Sequence, residues 1–356
     1  QALDEIGTRL RAIRARHGAD AIATYLGNPT AHDYGAALAS TVLRGVLLGK
    51  NHFSATSLDT LPRVVTSAAM YGTPAAVPVP DLDHTEHLLM IGANPMVSNG
   101  SGMVSPDIGK RLRAIQERGG RIVVVDPRRT ETAELADEHH FVRPGADVFL
   151  LLAIVERLFA SGVAARSPFC REAGFDALRA AVRGFPAERV AERVGLPAAT
   201  IHRIADDLGK ARRAICYGRM GTCVQEHGTT CTLLLDLINA LTGNLDREGG
   251  VRFASAAVDL VPISALAGPQ LQKGTSRVGK RPSFLGELPV AALLEELETP
   301  GEGQIKAMIV HAGNPVLSNP NGSRLAEAMA GLDLLVSVDL FVNETSSLAH
   351  YILPTP

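Results

Sequence analysis

Residues 93–99 read Ala-Asn-Pro-Met-Val-Ser-Asn and residues 313–319 read Gly-Asn-Pro-Val-Leu-Ser-Asn, so one chain carries nearly the same phrase twice. Each copy follows an apolar run, "HLLMIG" or "AMIVHAG". Each is followed by a stretch with helical character and then a second apolar run ending on an acid, Asp126 in "VVVDPRRTET" and Asp339 in "VSVDLFVNET". The match continues past the acid: Glu131-Thr132 lies as far beyond Asp126 as Glu344-Thr345 lies beyond Asp339, and Leu135-Ala136 then matches Leu348-Ala349. Agreement on both sides of a strand predicts two similar domains. Each has a loop at the carboxyl end of one strand and an acid at the end of the next.

The rest of the chain reads in the same alternating style. Leu3, Ile6, Leu10 and Ile13 fall at helical spacing, and Gly18 stops that helix. "AIATYLG" predicts a buried strand, 33–48 a helix, and "NHFSA" a short extended stretch. In the first repeat the helix is expected over 106–118, capped by Ser105-Pro106 and ended by Gly119-Gly120. Helices dominate 147–210, "AICYG" predicts a strand, "CTLLLDLINALTG" a helix, and 261–289 loop chemistry. The closing repeat adds a helix at 323–330 and the short strand "YILP". Continuous Val/Ile/Leu strands alternating with helices argue for mainly parallel sheets covered on both faces, which is doubly wound, Rossmann-like α/β.

Composition narrows the function. A chain of 356 residues, 46% hydrophobic, is long enough for two domains. A formal net charge of -2 offers no general attraction to nucleic acid or anionic membranes, and no apolar run reaches the ~18–20 residues that span a bilayer. Cys170, Cys216, Cys223 and Cys231 include no C-x-x-C pair, which argues against a disulfide framework, cluster or zinc site and for a reducing, cytoplasmic compartment, with Cys216, Cys223 and Cys231 read as buried small apolar residues. The chain opens on Gln1-Ala2-Leu3 with no initiator Met and no signal-like apolar stretch, which leaves open a native leader, a twin-arginine one included, that has been cut away.

Ligands of such sheets sit outside the carboxyl ends of the strands, where backbone N–H groups accept phosphate and an acid binds ribose hydroxyls or a base edge. Two such places imply two nucleotide-like moieties. No G-x-G-x-x-G follows a strand and no G-x-x-x-x-G-K-[ST] occurs, so an ordinary dinucleotide or triphosphate site lacks its fingerprint.

Together with "LDEIGTRLRAIRARHGADAIA", "GANP", "VVVDPRRTETAELAD", "VRPGAD", "LTGNLDREGG", "HAGNPVLSN" and "VDLFVNETSSLAHYILP", the repeat resembles the bis-molybdopterin guanine dinucleotide enzymes of the dimethyl sulfoxide reductase superfamily, formate dehydrogenases among them. The resemblance implies that each sheet holds the guanosine end of one cofactor, with molybdenum or tungsten as the metal. It implies one pocket from Gly92, Asn94, Asp126, Arg128, Gly145 and Asp147, and another from Gly313, Asn314, Ser318 and Asp339. Arg219 and Gly221 match a loop reaching toward a pterin or its pyrophosphate, and Gln225 sits one place beyond where the family often carries Gln. An Asp suits paired guanine N–H donors, and an Arg suits phosphate or a base face. By the same resemblance one domain is inserted in the other, 1–62 plus 245–356 against 63–244. It also implies that the chain is a fragment of a longer protein, with a 4Fe–4S cluster in a missing N-terminal domain, a small-molecule substrate and an electron-transfer partner.

The departures lie in "SLDTLPRVVTSAAMYG". Aligning Asp59 and Arg63 with the formate dehydrogenase pattern puts Val65 where a Cys or selenocysteine binds the metal and Thr66 where a His assists proton transfer. Valine cannot ligate molybdenum, so the metal either has no protein ligand or takes an oxygen from Thr66 or Ser67. The arginine expected after "LTGN" is missing, with Ser255 nearest in register. Three functions remain: a molybdenum or tungsten oxidoreductase core, a molybdenum-free structural subunit like that of respiratory NADH dehydrogenase, and a non-redox enzyme like acetylene hydratase. His139-His140 is expected to be a strand-entry turn because neighbours on a strand point to opposite faces. Glu226-His227 is expected to be a helix start, and "KGTSRVGKRPSF" a solvated basic loop.

Overall fold

A computed structural model describes residues 1–255, 259, 262 and 274–355. The chain divides into two compact units: a continuous one, Leu61–Pro269, and a split one, Gln1–Thr60 with Gln270–Pro356. Eleven strands occur among the described residues: β1 Ile22–Leu26, β2 His52–Ser54, β3 Pro78–Pro80, β4 His87–Ile91, β5 Arg121–Val125, β6 Glu138–His140, β7 Ala214–Gly218, β8 Val251–Phe253, β9 Ala307–His311, β10 Leu334–Val338 and β11 Tyr351–Leu353.

The split unit has a sheet in the order β11-β10-β9-β1-β2, with every neighbouring pair parallel. The continuous unit has a parallel sheet β6-β5-β4-β7 and a separate antiparallel pair, β3 with β8. Side chains alternate across each sheet with the period of two that the pleat dictates. Leu88, Met90, Ile122 and Val124 pack on one face with Leu112 and Ile115 of the helix Ile108–Glu117. Leu89, Ile91, Val123 and Val125 pack on the other with the helices Asp147–Ala160, Ala198–Lys210 and Gly228–Leu241. In the split unit Ala23, Tyr25, Met308 and Val310 face the helix Gly322–Ala330, whereas Ile22, Ala307, Ile309 and Val336 face Ile6 and Ile13 of the helix Ala2–His17. Burial on both faces is why these strands read as unbroken apolar runs. Each fully buried Leu or Ile contributes about 1.5–3 kcal/mol.

Strand order sets where a ligand can sit. From β4 the chain steps outward to β5 and β6, then returns to β7 on the opposite side of β4. In the split unit β1 leads to β2 on one side, and β9 leads to β10 and β11 on the other. The direction therefore reverses between β4 and β7 and between β9 and β1, and at such switch points the connections diverge and leave a crevice at the carboxyl ends.

The duplicated phrase lies at these reversals. Asn94 (φ -126, ψ 71) and Asn314 (φ -122, ψ 70) have the same backbone, and each precedes a one-turn helix, Pro95–Ser98 or Pro315–Ser318. Asn94 Nδ2 donates to Glu131 Oε2 (2.8 Å), and its Oδ1 accepts from Thr132 Oγ1 (2.7 Å), which itself accepts from Met96 N (3.2 Å). The split unit repeats the clasp: Asn314 Nδ2 to Glu344 Oε2 (2.6 Å), Thr345 Oγ1 to Asn314 Oδ1 (2.8 Å), and Val316 N to Thr345 Oγ1 (3.1 Å). Both threonines are wholly buried.

Three expectations change. The helix expected over 106–118 starts at Ile108, because Val104 and Asp107 take left-handed backbone (φ 51 and 53) and Ser105 Oγ donates to Met103 O instead of capping. The return from the continuous to the split unit falls after 269 rather than at 245, because β8 pairs with β3 and Gly249 N donates to Asp81 Oδ2 (3.0 Å). The basic loop is anchored rather than merely solvated: Arg277 Nε donates to the fully buried Glu296 (3.1 Å) and its Nη2 to Thr299 O (2.7 Å). Of the loop expected over 261–289, only 262 and 274–289 lie among the described residues.

Replacing Thr132 or Thr345 by Val keeps the side-chain shape while leaving the N–H of Met96 or Val316 unpaired and, in the split unit, the Asn314 amide oxygen as well. Each substitution is expected to destabilise its unit by about 1–3 kcal/mol, read as a lower urea midpoint. A wild-type midpoint would show that the clasp contributes nothing to stability.

Candidate functional site

In the continuous unit the switch point is closed by two glycine backbones. Gly92 (φ +58) faces Gly221, whose N–H donates to Gly92 O (2.9 Å), and a Cβ on Gly92 would fall 2.8 Å from Gly221 Cα. Nothing larger than glycine fits at either position without moving the main chain, and the backbone there stays bare of side chains. Asp126 follows β5, and its Oδ1 accepts from Arg128 N (2.8 Å). Arg128 is exposed and its guanidinium lies 3.3 Å from Glu131 Oε2, the carboxylate that Asn94 also holds. Gly145 (φ +78) has open space where a Cβ would be and leads directly into the helix Asp147–Ala160.

Asp147 is the first residue of that helix and is only 5% exposed. Gln225 Nε2 donates to its Oδ2 (2.9 Å), while Gln225 Oε1 is buried without a partner. Desolvation by burial raises the Asp147 pKa above its ordinary 3.8; the Gln225 bond opposes this, and the nearby charge of Asp126 adds to it. Arg219 follows β7 and passes Gly102, where an added Cβ would lie 2.8 Å from its Nε. Asp126, Asp147, Gln225 and the Gly92–Gly221 contact thus belong to one carboxyl-terminal edge.

The split unit has the same plan with different pieces. A Cβ on Gly313 would meet the Tyr25 ring at 2.9 Å, and one on Gly27 would fall 1.6 Å from Ala312 O. Gly27 is a position that sequence reasoning missed. Its signal was present, since Gly27-Asn28-Pro29 repeats the triplet Gly313-Asn314-Pro315. Asp339 Oδ1 accepts from Phe341 N (3.2 Å) and its Oδ2 from Asn343 Nδ2 (3.1 Å). Ser318 is exposed and donates its hydroxyl to Asn314 O (2.9 Å). The side chains of Asn94 and Asn314 are committed to the clasps, so these residues shape the two edges from within.

In the segment aligned with a metal ligand, Thr66 and Ser67 are packed away and Val65 is half-buried. Val65, Thr66 and Ser67 lie on the helix Leu61–Tyr71. Thr66 is 1% exposed and donates to Thr229 O (3.3 Å), and Ser67 is fully buried and accepts from Arg63 Nη2 (3.3 Å). Arg63 continues to Asp236 Oδ1 (2.7 Å), whose other oxygen accepts from Tyr71 Oη (2.9 Å). Neither hydroxyl is turned toward open space. The "LTGN" stretch is also part of the framework. Asn244 is buried and its Oδ1 accepts from Ala214 N (3.2 Å), while Ser255 is exposed at the edge of the described segment. His139 bonds Asp126 O (3.0 Å) and His140 bonds Glu138 (2.9 Å), so the adjacent pair diverges. His227 occupies the N-cap position of the helix Gly228–Leu241. Cys216 and Cys231 are buried among apolar residues, and Cys223 is buried with its Sγ 3.8 Å from Thr232 Oγ1. Among the described residues no three His, Cys, Asp or Glu side chains gather in a way that could hold a metal.

The raised Asp147 pKa has a signed consequence. The unfolded state ionises first, so the folded state holds an extra proton between the two pKa values and stability falls as pH rises through that window. Asp147→Asn is expected to remove this slope, making the variant increasingly more stable than the wild type as pH rises from about 4 toward neutrality. Parallel stability–pH curves for the two proteins would contradict the assignment.

The molybdopterin oxidoreductase family model matches residues 1–356. The chain is 28% identical to a nitrate reductase of Klebsiella oxytoca, over 99% of this chain and 42% of that protein. It is 26% identical to formate dehydrogenase H of Escherichia coli, over 100% of this chain and 51% of that protein. The acetylene hydratase structure from Pelobacter acetylenicus superimposes with a TM-score of 0.79 at 24% identity, covering 99% of this chain and 51% of the other, a likeness of fold. The chain thus spans about half the length of the relatives it matches. With the strand order, the paired glycine contacts and the match over its whole length, the chain belongs to the molybdopterin oxidoreductase family.

Proposed function

We propose that this chain is the cofactor-binding core of a molybdenum- or tungsten-dependent oxidoreductase, in which each unit holds the guanosine end of one molybdopterin guanine dinucleotide. Family membership implies the molybdopterin and its metal. The observation that carries the two-guanosine reading is the repetition of one clasp, one glycine contact and one acid at two separate switch points. When bound, the cofactor supplies a metal that cycles between oxidation states while an oxygen atom or hydride equivalent is transferred.

The protein's part is to bind and orient. The Gly92–Gly221 and Gly27–Gly313 contacts leave backbone that a nucleotide can approach closely. Asp126 and Asp339 offer carboxylate oxygens to guanine N–H groups or ribose hydroxyls, and Arg128 and Arg219 suit the phosphates. The buried, unpaired Gln225 Oε1 is a ready acceptor for a ligand donor beside Asp147. A small-molecule substrate and an electron-transfer partner belong to the whole protein on this reading. No helix among the described residues is long and apolar enough to cross a membrane.

A valine at position 65 and the packing of Thr66 and Ser67 favour one second reading, a molybdenum-free structural subunit on the same fold. Mass spectrometry for molybdenum and tungsten, with acid-released guanosine monophosphate quantified in the same sample from the native host, separates the two. Two nucleotides per metal are expected for the oxidoreductase core. Neither metal nor nucleotide, from cells making the cofactor, would assign the structural role.

A further inference from the structure

The two switch points share a clasp and an acid but differ in the residues between them. Counted from the acid before or from the Glu-Thr pair after, Pro127-Arg128-Arg129 in the continuous unit occupies the place of Leu340-Phe341-Val342 in the split unit. The backbone is the same: Arg128 N donates to Asp126 Oδ1 (2.8 Å) as Phe341 N donates to Asp339 Oδ1 (3.2 Å). Arg128 and Phe341 are therefore equivalent positions. Two cations at one edge replace two apolar side chains at the other, and all of them are exposed. Phe341 is 75% exposed. Leu317, also exposed, stands on the turn that the Asn314–Glu344 bond ties to the same loop. Arg128 is braced by Glu131, whereas Glu344 bonds Asn314 and the position equivalent to Arg128 is Phe341.

We infer that the two nucleotide sites are chemically unlike: the continuous unit holds its guanosine phosphate chiefly through the Arg128 charge, and the split unit holds its guanine base by stacking on Phe341. The inference rests on the two-guanosine reading above. An exposed arginine–phosphate contact is screened as the Debye length falls from about 10 Å at 0.1 M salt to about 3 Å at 1 M. Stacking of a base on an aromatic face is apolar and withstands that change. The split unit thus keeps its nucleotide under ionic conditions that strip the continuous one.

The chain contains no Trp, so Phe341→Trp creates a single reporter at one site. Guanosine monophosphate is titrated into the full chain by calorimetry at low and high sodium chloride, and into the Phe341→Trp variant by fluorescence. Two sites are expected, one weakening roughly tenfold or more between about 0.1 M and about 1 M salt and one nearly unchanged. Arg128→Ala is expected to abolish the salt-sensitive component, and Phe341→Ala to weaken the other site roughly tenfold. Quenching of the new Trp should follow the salt-insensitive affinity. Equal salt response at both sites, or a Phe341→Ala variant with both affinities intact, overturns the inference while leaving two-site binding in place. No nucleotide at either site of a chain shown to be folded by circular dichroism overturns the underlying reading as well.

Discussion

A side-chain amide carries a donor and an acceptor on one rigid plane, and Asn94 and Asn314 use both to join the loop after one strand to the loop after the next. The rest of each switch point depends on that clasp. The proline that follows each Asn ends the strand and starts a single helical turn, and the threonine hydroxyl satisfies the backbone N–H that this turn would otherwise bury unpaired. With its threonine side buried and its partners satisfied, such a polar network holds one geometry. The acid at the end of the next strand is thereby presented in a fixed place relative to the glycine contact.

The duplication is one of scaffold, and the chemistry differs at the rims. Equivalent backbone carries Arg128 in one unit and Phe341 in the other, and Asp147 with Gln225 adds a buried acid and an open acceptor to the continuous unit. The residues beside the position aligned with a metal ligand, and the LTGN stretch, are engaged here in holding the fold. The Leu61–Tyr71 helix is tied to Gly228–Leu241 through Arg63, Tyr71 and Asp236, and Asn244 pins the start of β7. Function on this fold is thus decided by a few side chains at loop ends.

Much of the architecture was legible because two-sided burial forces continuous apolar strands, and because the repeat brackets a strand in register on both sides. Less was legible where a local signal competed with a turn or a distant partner. Ser105-Pro106 has the composition of a helix start, yet left-handed backbone at Val104 and Asp107 moves the start to Ile108. Arg277 and Arg281 read as solvent-facing cations until Glu296 and Glu295 are brought beside them. The unit boundary moved because the pairing of β3 with β8 joins segments far apart in sequence.

By itself the sequence determined two parallel α/β sheets, the duplicated Asn-Pro and Glu-Thr elements, and the acids at Asp126 and Asp339, since each is written in local pattern or in the match between copies. Only the tertiary structure decided that Gly27 and Gly221 complete the two edges, that the Asn side chains are committed to clasps, and that Thr66 and Ser67 are packed inside. The physical reason is that each of these depends on which strand or helix lies next to which. That adjacency follows from crossovers and burial across the whole chain, and no short window of residues contains it.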